Sequence, residues 1–306
     1  MAHHHHHHHG EVSGKNLIIT MFLNFIITLV ELIGGLLSGS LSLLSDALHN
    51  LSDGVSVIIS FFALKLSQRD NNNRMTFGYK RAEILAALFN SSVLVIISFY
   101  LFKGAYFKLI DPKPINGLMM IIVALIGLAA NTFSVIILRD NAKKNVNIKS
   151  AYIHLLADAM SSVGVVFGGI LIHFYNIYWI DPVLTILIGV YIVKESFAII
   201  NETVRILMQA TPENIDVDNM KKEVEQIPLV ADIHHLHVWQ TNDHDIHVEC
   251  HVNLEKDLKL SQVNEIRENL EKLLKHKFSV HHFTVQTEYN CCHDVGLIKK
   301  RFKKAN

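Results

Sequence analysis

The chain has 306 residues, 50% of them hydrophobic and 18% charged, and its 28 basic and 28 acidic residues cancel to a formal net charge of zero. With a mean hydropathy of +0.28, this balance fits a membrane protein carrying a soluble portion and leaves no basic excess for a nucleic-acid partner.

The chain opens with seven consecutive histidines, His3 to His9, which run straight into Gly10-Glu11-Val12. This tract reads either as a purification tag or as a native metal-collecting tail, and residues 1–14 are set apart from the fold on both readings. No cleavable signal peptide is visible, because the first apolar run begins after Lys15 and is long enough to span a bilayer.

The roughly 20-residue criterion predicts six spans, at 16–37, 41–66, 82–109, 115–138, 150–174 and 179–208. Basic residues sit in two joints: Lys65, Arg69, Arg74, Lys80 and Arg81 between spans two and three, and Arg139, Lys143, Lys144 and Lys149 between four and five. Those joints are expected in the cytoplasm, with both termini on the same side. Gly34, Gly35, Gly164, Gly168 and Gly169 read as close helix packing. Asn24, Glu31, Asn90 and Asn131 are polar groups at membrane depth that either line a water-filled path or bond neighbouring helices.

Spans two and five carry the chemistry. A carboxylate at the centre of a spanning helix costs roughly 2.5–3.5 kcal/mol, so Asp53 and Asp158 facing lipid would together cost on the order of 5–7 kcal/mol. In each span a histidine, His49 or His154, precedes the Asp by four residues. That spacing puts both side chains on one helix face, about a turn apart. Two such helices face to face offer two imidazoles and two carboxylates, a four-coordinate set suited to zinc. A single His–Asp pair could instead satisfy itself by hydrogen bonding; the repetition of the pattern in a second span favours metal. Asp46 shares the face of His49 and Asp53, and either helps admit the ion or has a structural role.

Composition changes near Gln209–Asn214, where Thr211-Pro212 interrupts a continuous helix. Residues 15–208 are expected to form the membrane domain, 209–290 a cytoplasmic α+β domain and 291–306 a Cys- and Lys-rich tail. Within the second, periodicity predicts a helix over 217–226, strands over 233–240 and 246–253 joined by a turn at Asp243, a helix over 261–276 and a strand over 280–288. The order implies a ferredoxin-like sandwich with its helices on one sheet face. Alternation places Leu236, Val238, Val248, Cys250 and Val252 toward the helices. It places His235, His237, Trp239, His247, Glu249 and His251 on the opposite face. A face so rich in imidazole points to bound zinc, supplemented by Glu288 and the run Cys291-Cys292-His293, although a merely solvated polar face has the same pattern. Adjacent Cys291 and Cys292 are poor disulfide partners for each other, so metal binding or free thiols are the better reading. No His-Glu-x-x-His, Gly-x-Ser-x-Gly or phosphate-binding Gly-rich loop occurs, and no catalytic nucleophile is indicated.

Six spans, His49-x-x-x-Asp53, His154-x-x-x-Asp158 and a His-rich α+β tail together resemble the cation diffusion facilitator family, most closely its zinc-transporting branch. The segments Ser45-Asp46-Ala47-Leu48-His49, Thr76-Phe77-Gly78-Tyr79-Lys80-Arg81-Ala82-Glu83-Ile84-Leu85 and His235-Leu236-His237-Val238-Trp239 carry the resemblance. It implies a homodimeric exporter in a bilayer, exchanging cytoplasmic zinc for protons, with a metallochaperone-like tail domain at the dimer interface. A bacterial inner membrane is the expected location, an organellar one not being distinguished. The transport site would be His49, Asp53, His154 and Asp158, with His49 in place of a carboxylate favouring zinc over cadmium. In the tail the matching ligands would be His237, His251, His281 and Glu288, with Cys291 and Cys292 resembling a terminal thiol pair. Strand alternation, however, puts His282 rather than His281 on the face of Glu288. The loop ion site of some members is not expected here, since residues 67–79 contain no His.

A mechanism follows from the ligands. A ligating imidazole must be neutral, so zinc and protons compete for it near neutral pH. A site open alternately to each side then gives zinc/proton antiport. Two alternatives stand beside it: a membrane-anchored zinc sensor without transport, whose tail reads cytosolic zinc while the membrane part only anchors it, and an intramembrane zinc enzyme using the same His/Asp set. The enzyme would also need a general base and a substrate cleft, and neither is indicated.

Overall fold

Long apolar runs broken by short polar joints can satisfy their backbone within a bilayer only as helices. Six form: α1 (Gly14–Ser38), α2 (Leu41–Ser67), α3 (Ala82–Ile110), α4 (Gly117–Ala142), α5 (Val146–Tyr175) and α6 (Ile180–Leu207). They are followed by α7 (Val217–Val224), β1 (Val230–Gln240), β2 (Ile246–Leu254), α8 (Leu260–Phe278) and β3 (Val280–Tyr289). The structure is a computed structural model and describes residues 14–142, 146–242, 244–291 and 296–298. The histidine tract, Lys143, Lys144, Asp243, Cys292 and His293 lie outside the described residues. Among those described, α2 to α6 are each long and apolar enough to cross a membrane, and α1 contributes the apolar stretch Phe22–Ser38. The observed helices match the expected spans, except that α4 runs on to Ala142 and α5 begins at Val146 rather than 150.

Two compact units emerge. The first combines residues up to Phe62 with Phe89–Ile200, and the second combines Ala63–Leu88 with residues from Asn201 onward. In the first unit α4 packs closely along α5, and α1 packs on α4. The closeness depends on glycine: a Cβ at Gly34 would lie 2.5 Å from the Val123 side chain, and one at Gly117 would lie 2.7 Å from the backbone N of His173. Around these contacts Leu43, Ile115, Met120, Val123, Ala124, Val165 and Ile172 form a buried core. Phe25, Ile96, Phe99, Phe133 and Phe167 point outward, as side chains facing lipid do.

The α1–α2 corner turns at Gly39, whose φ of +74° suits glycine. The exposed N–H groups of α2 are then capped by Asp181, from the first turn of α6. Its fully buried carboxylate accepts from Ser40 Oγ (2.6 Å), Leu41 N (2.8 Å), Ser42 N (3.0 Å) and Ser42 Oγ (2.7 Å), with Lys108 Nζ at 3.5 Å. This is an N-cap supplied from another helix.

In the second unit β1 pairs antiparallel with β2, and β2 pairs parallel with β3, giving a three-stranded mixed sheet in the order β1-β2-β3. Asp216 caps α7 by accepting from Asp218 N and Asn219 N. Met220 and Val224 of α7 and Ile266, Leu270 and Leu274 of α8 pack on Val238, Val248, Cys250 and Val252, the sheet face that alternation selects. The β1–β2 register is interrupted between Val230 and Asp232, and again where it bears on the histidines. There it shifts between His234 and His237, with His235 at a φ of +52°. Such a bulge adds a residue to one strand and re-aims its neighbours.

Asp181→Ala would leave several buried donors unpaired, at about 1–3 kcal/mol each. A large fall in the unfolding temperature of the detergent-solubilised protein is expected, followed by size-exclusion chromatography after heating, with a smaller fall for Asp181→Asn.

Candidate metal centre

The helical period brings His49 and Asp53 to one face of α2, and His154 and Asp158 to one face of α5. Tertiary packing turns these faces toward each other. His154 Nε2 lies 2.9 Å from Asp53 Oδ2 and 3.5 Å from Asp158 Oδ2. His49 Nε2 lies 3.6 Å from Asp53 Oδ2 and 3.9 Å from Asp158 Oδ1. The two imidazole rings meet edge to face with centroids 5.5 Å apart.

These spacings fit a small tetrahedral ion. At zinc–nitrogen and zinc–oxygen distances of about 2.0–2.2 Å, ligand atoms sit roughly 3.3–3.6 Å from one another. His49, Asp53 and His154 offer ligand atoms that all lie within 4.8 Å, and Asp158 reaches each histidine with a different oxygen. Buried His49 Nε2 and Asp158 Oδ2 have no hydrogen-bond partner. One dication among the four side chains would satisfy both atoms and neutralise both carboxylates. The site is graded in exposure, Asp158 being almost wholly buried and His154 42% exposed at its side chain.

A second cluster lies in the sheet domain. Glu288 Oε2 is 3.2 Å from His234 Nε2, and Glu288 Oε1 is 2.8 Å from His251 Nδ1. His234 Nδ1 lies 2.8 Å from Asp232 Oδ1, while Asp232 Oδ2 accepts from Asn253 Nδ2 at 3.1 Å. A carboxylate behind a histidine in this way fixes the tautomer that leaves Nε2 free to ligate. Buried His234 Nε2 and Glu288 Oε2 both lack hydrogen-bond partners, so this cluster too has atoms that a cation would satisfy.

Of the tail residues singled out in the sequence, His251 and Glu288 meet here. His237 does not join them; it lines a cavity of about 860 Å³ with Phe77, Trp239 and Glu249. His281 is exposed at the start of β3, seven residues from Glu288, a separation of about 23 Å along a strand. The β3 register pairs His282 with His247 and Glu288 with Asn253. His282 thus shares the face of Glu288, as alternation indicates, but lies at the other end of the strand. Cys291 is exposed just beyond β3. Cys250 packs in the apolar core between sheet and helices, where burial pushes its thiol up to about 12.

His234 is the residue that sequence reasoning missed. Strict alternation from Leu236 and Val238 places it on the helix side, and the bulge at His235 turns it to the Glu288 side. The adjacent pair His234-His235 was the available signal, since two neighbours on a strand cannot both share the face of His237. At Glu288, burial works against ionisation, but Gln286 and the nearby His251 and His234 outweigh it and hold the carboxyl below its ordinary range. The carboxylate is therefore ionised throughout neutral pH, and proton competition with a metal falls to the histidines.

Residues 17–208 match the family model described as the cation efflux transmembrane domain, and residues 212–290 match that of the cation efflux protein cytoplasmic domain. The chain is similar to the "Cadmium, cobalt and zinc/H(+)-K(+) antiporter" of Bacillus subtilis, with 35% identity over 262 residues, 85% of this chain and 84% of the relative. It is 36% identical over 287 residues to zinc transporter ZitB of Pectobacterium atrosepticum, covering 92% of this chain and 88% of that one. It is 31% identical over 278 residues to metal cation efflux system protein CzcD of Cupriavidus metallidurans, covering 91% and 87%.

The cluster geometry can be tested in the full chain with the membrane site silenced by Asp158→Ala. Added His234→Ala is expected to weaken zinc binding by calorimetry at least about tenfold, whereas added His281→Ala leaves it unchanged.

Proposed function

We propose, from the premise that this chain belongs to the cation efflux family of membrane transporters, that it exports zinc from the cytoplasm in exchange for protons. It is a transporter rather than an enzyme. The observation that carries the reading is the facing of two His–Asp pairs across α2 and α5, with donor atoms 2.9–3.9 Å apart inside the membrane unit. Relatives named for zinc, cadmium and cobalt support a transition-metal cargo, and one named as an H(+)-K(+) antiporter supports proton exchange.

Two imidazoles and two carboxylates favour zinc within that set, because nitrogen ligands in tetrahedral array suit it and the two Asp charges cancel the ion's charge. His49 and His154 must shed protons to ligate, so loading the site releases protons and reprotonation releases the ion. A site that changes sides only when occupied, outward with zinc bound and back with its ligands protonated, converts this competition into antiport. The basic joints support a cytoplasmic position in a bacterial cell for the termini and, with them, the sheet domain. Residues 15–208 form the transport domain and 209–290 the sheet domain. There, His234, His251 and Glu288 hold a regulatory zinc ion, and the domain pairs two copies of the chain. Metal at that cluster biases the transport equilibrium through its different affinity for the two states.

Proteoliposomes containing a zinc-sensitive dye test the reading. Zinc uptake that depends on a pH difference is expected, together with release of protons. Asp53→Ala or Asp158→Ala is expected to cut the flux more than about tenfold while leaving a folded protein, and wild-type flux in Asp158→Ala would refute the site. His49→Asp is expected to raise cadmium flux relative to zinc; an unchanged ranking would refute the selectivity argument.

A further inference from the structure

The transport site does not use every buried acid of the membrane unit. Glu31 of α1 is 1% exposed, at a depth where a bare carboxylate is costly. Among the described residues no Lys, Arg or His is paired with it. Its one hydrogen bond comes from Asn50 of α2, whose Nδ2 donates to Glu31 Oε2 at 3.0 Å. That leaves Glu31 Oε1 and Asn50 Oδ1, both buried and both without a partner.

Both remaining atoms are acceptors while the carboxyl is ionised, so they cannot bond to each other. A proton on Oε1 makes it a donor. A carboxylic acid facing a primary amide then forms two reciprocal hydrogen bonds, N–H to one carboxyl oxygen and O–H to the amide oxygen. The first of these is already in place, and the two leftover atoms are the partners of the second. Gly127 of α4 packs so closely on Oε1 that a Cβ there would collide with it. One turn further along that face stands Asn131, fully buried, with both amide atoms unpartnered. The titratable groups facing Glu31 from the packed helices are Asp46 of α2 and Asp158 of α5, both acids.

We propose that Glu31 and Asn50 form a proton-binding site within the membrane, separate from the metal ligands, whose proton leaves when a dication loads the transport site and returns when the ion departs. Two connections couple the sites: Asn50 directly follows His49, and Asp158 both faces Glu31 and serves as a ligand. In the coupled step the Glu31 Oε1–H bond breaks, the electron pair stays on the carboxylate, and the proton passes to water on the side then open. The arriving dication balances the new negative charge.

This inference rests on the antiport reading, and the experiment separates the two. In proteoliposomes of the full chain, proton release per zinc ion is measured for wild type, Glu31→Gln and Glu31→Asp. Glu31→Gln, which cannot titrate, is expected to bind zinc more weakly, with an affinity less dependent on pH, and to release about one proton fewer per ion, with a flatter pH profile of uptake. Glu31→Asp is expected to restore part of both. Equal proton ratios in wild type and Glu31→Gln would overturn the proposal and leave antiport standing, whereas no zinc-linked proton release in wild type would overturn both. If Glu31→Gln fails to fold, infrared difference spectra of wild-type protein with isotope-labelled glutamate decide. Loss of a protonated-glutamate carbonyl band on adding zinc is expected, and absence of such a band would overturn the proposal.

Discussion

The cost of holding a carboxylate away from water governs the membrane unit, and its buried acids meet that cost in different ways. Asp181 accepts four hydrogen bonds from the start of α2 and has Lys108 beside it, so its charge is dispersed into a helix cap. Asp53 and Asp158 are set against His49 and His154 at spacings that an ion can bridge. Glu31 has only an amide. The first arrangement is complete without any ligand and holds three helices in register. The other two leave atoms unsatisfied, which is the physical mark that separates a binding site from a structural contact.

The same distinction runs through the sheet domain. Lys80, in the joint between α2 and α3, lies 2.6 Å from Asp245 at the β1–β2 turn, and its hydrogen bond holds the Asp245 carboxyl below the usual carboxylate range. This pair is closed and ties the joint to the hairpin. At the far end of the sheet, His234 and Glu288 each keep an atom in reserve, with Asp232 and Asn253 orienting the imidazole from behind. His247 takes a third course: burial against Trp239 and Phe77 lowers its basicity, as does the nearby charge of His282 and Lys80. Its Nδ1 is buried without a hydrogen-bond partner, and its place on the polar face of β2 is that of His251.

A chain of this kind needs both kinds of contact. The closed ones, at Asp181 and at Lys80–Asp245, give each unit a fixed geometry, so that the open ones keep their spacing when no ion is bound. Preorganisation of this sort lets a dication bind without first assembling its ligands.

Much of this was legible in the sequence. Helix period alone puts His49 with Asp53 and His154 with Asp158, because a four-residue spacing leaves no choice of face. The six spans follow from apolar length, and the strands from alternation in the tail. What the sequence could not decide was where local periodicity breaks or distant segments converge. The bulge at His235 exchanged His237 for His234 in the tail cluster, since one extra residue in a strand inverts every face beyond it. The distance from His281 to Glu288, by contrast, was already implicit in a strand predicted over 280–288, which spaces the two residues along its length. The pairing of Glu31 with Asn50 across 19 residues, and of Asp181 with the start of α2, depends on how helices pack. Such packing joins positions that no spacing in the chain relates, so only the tertiary structure decides it.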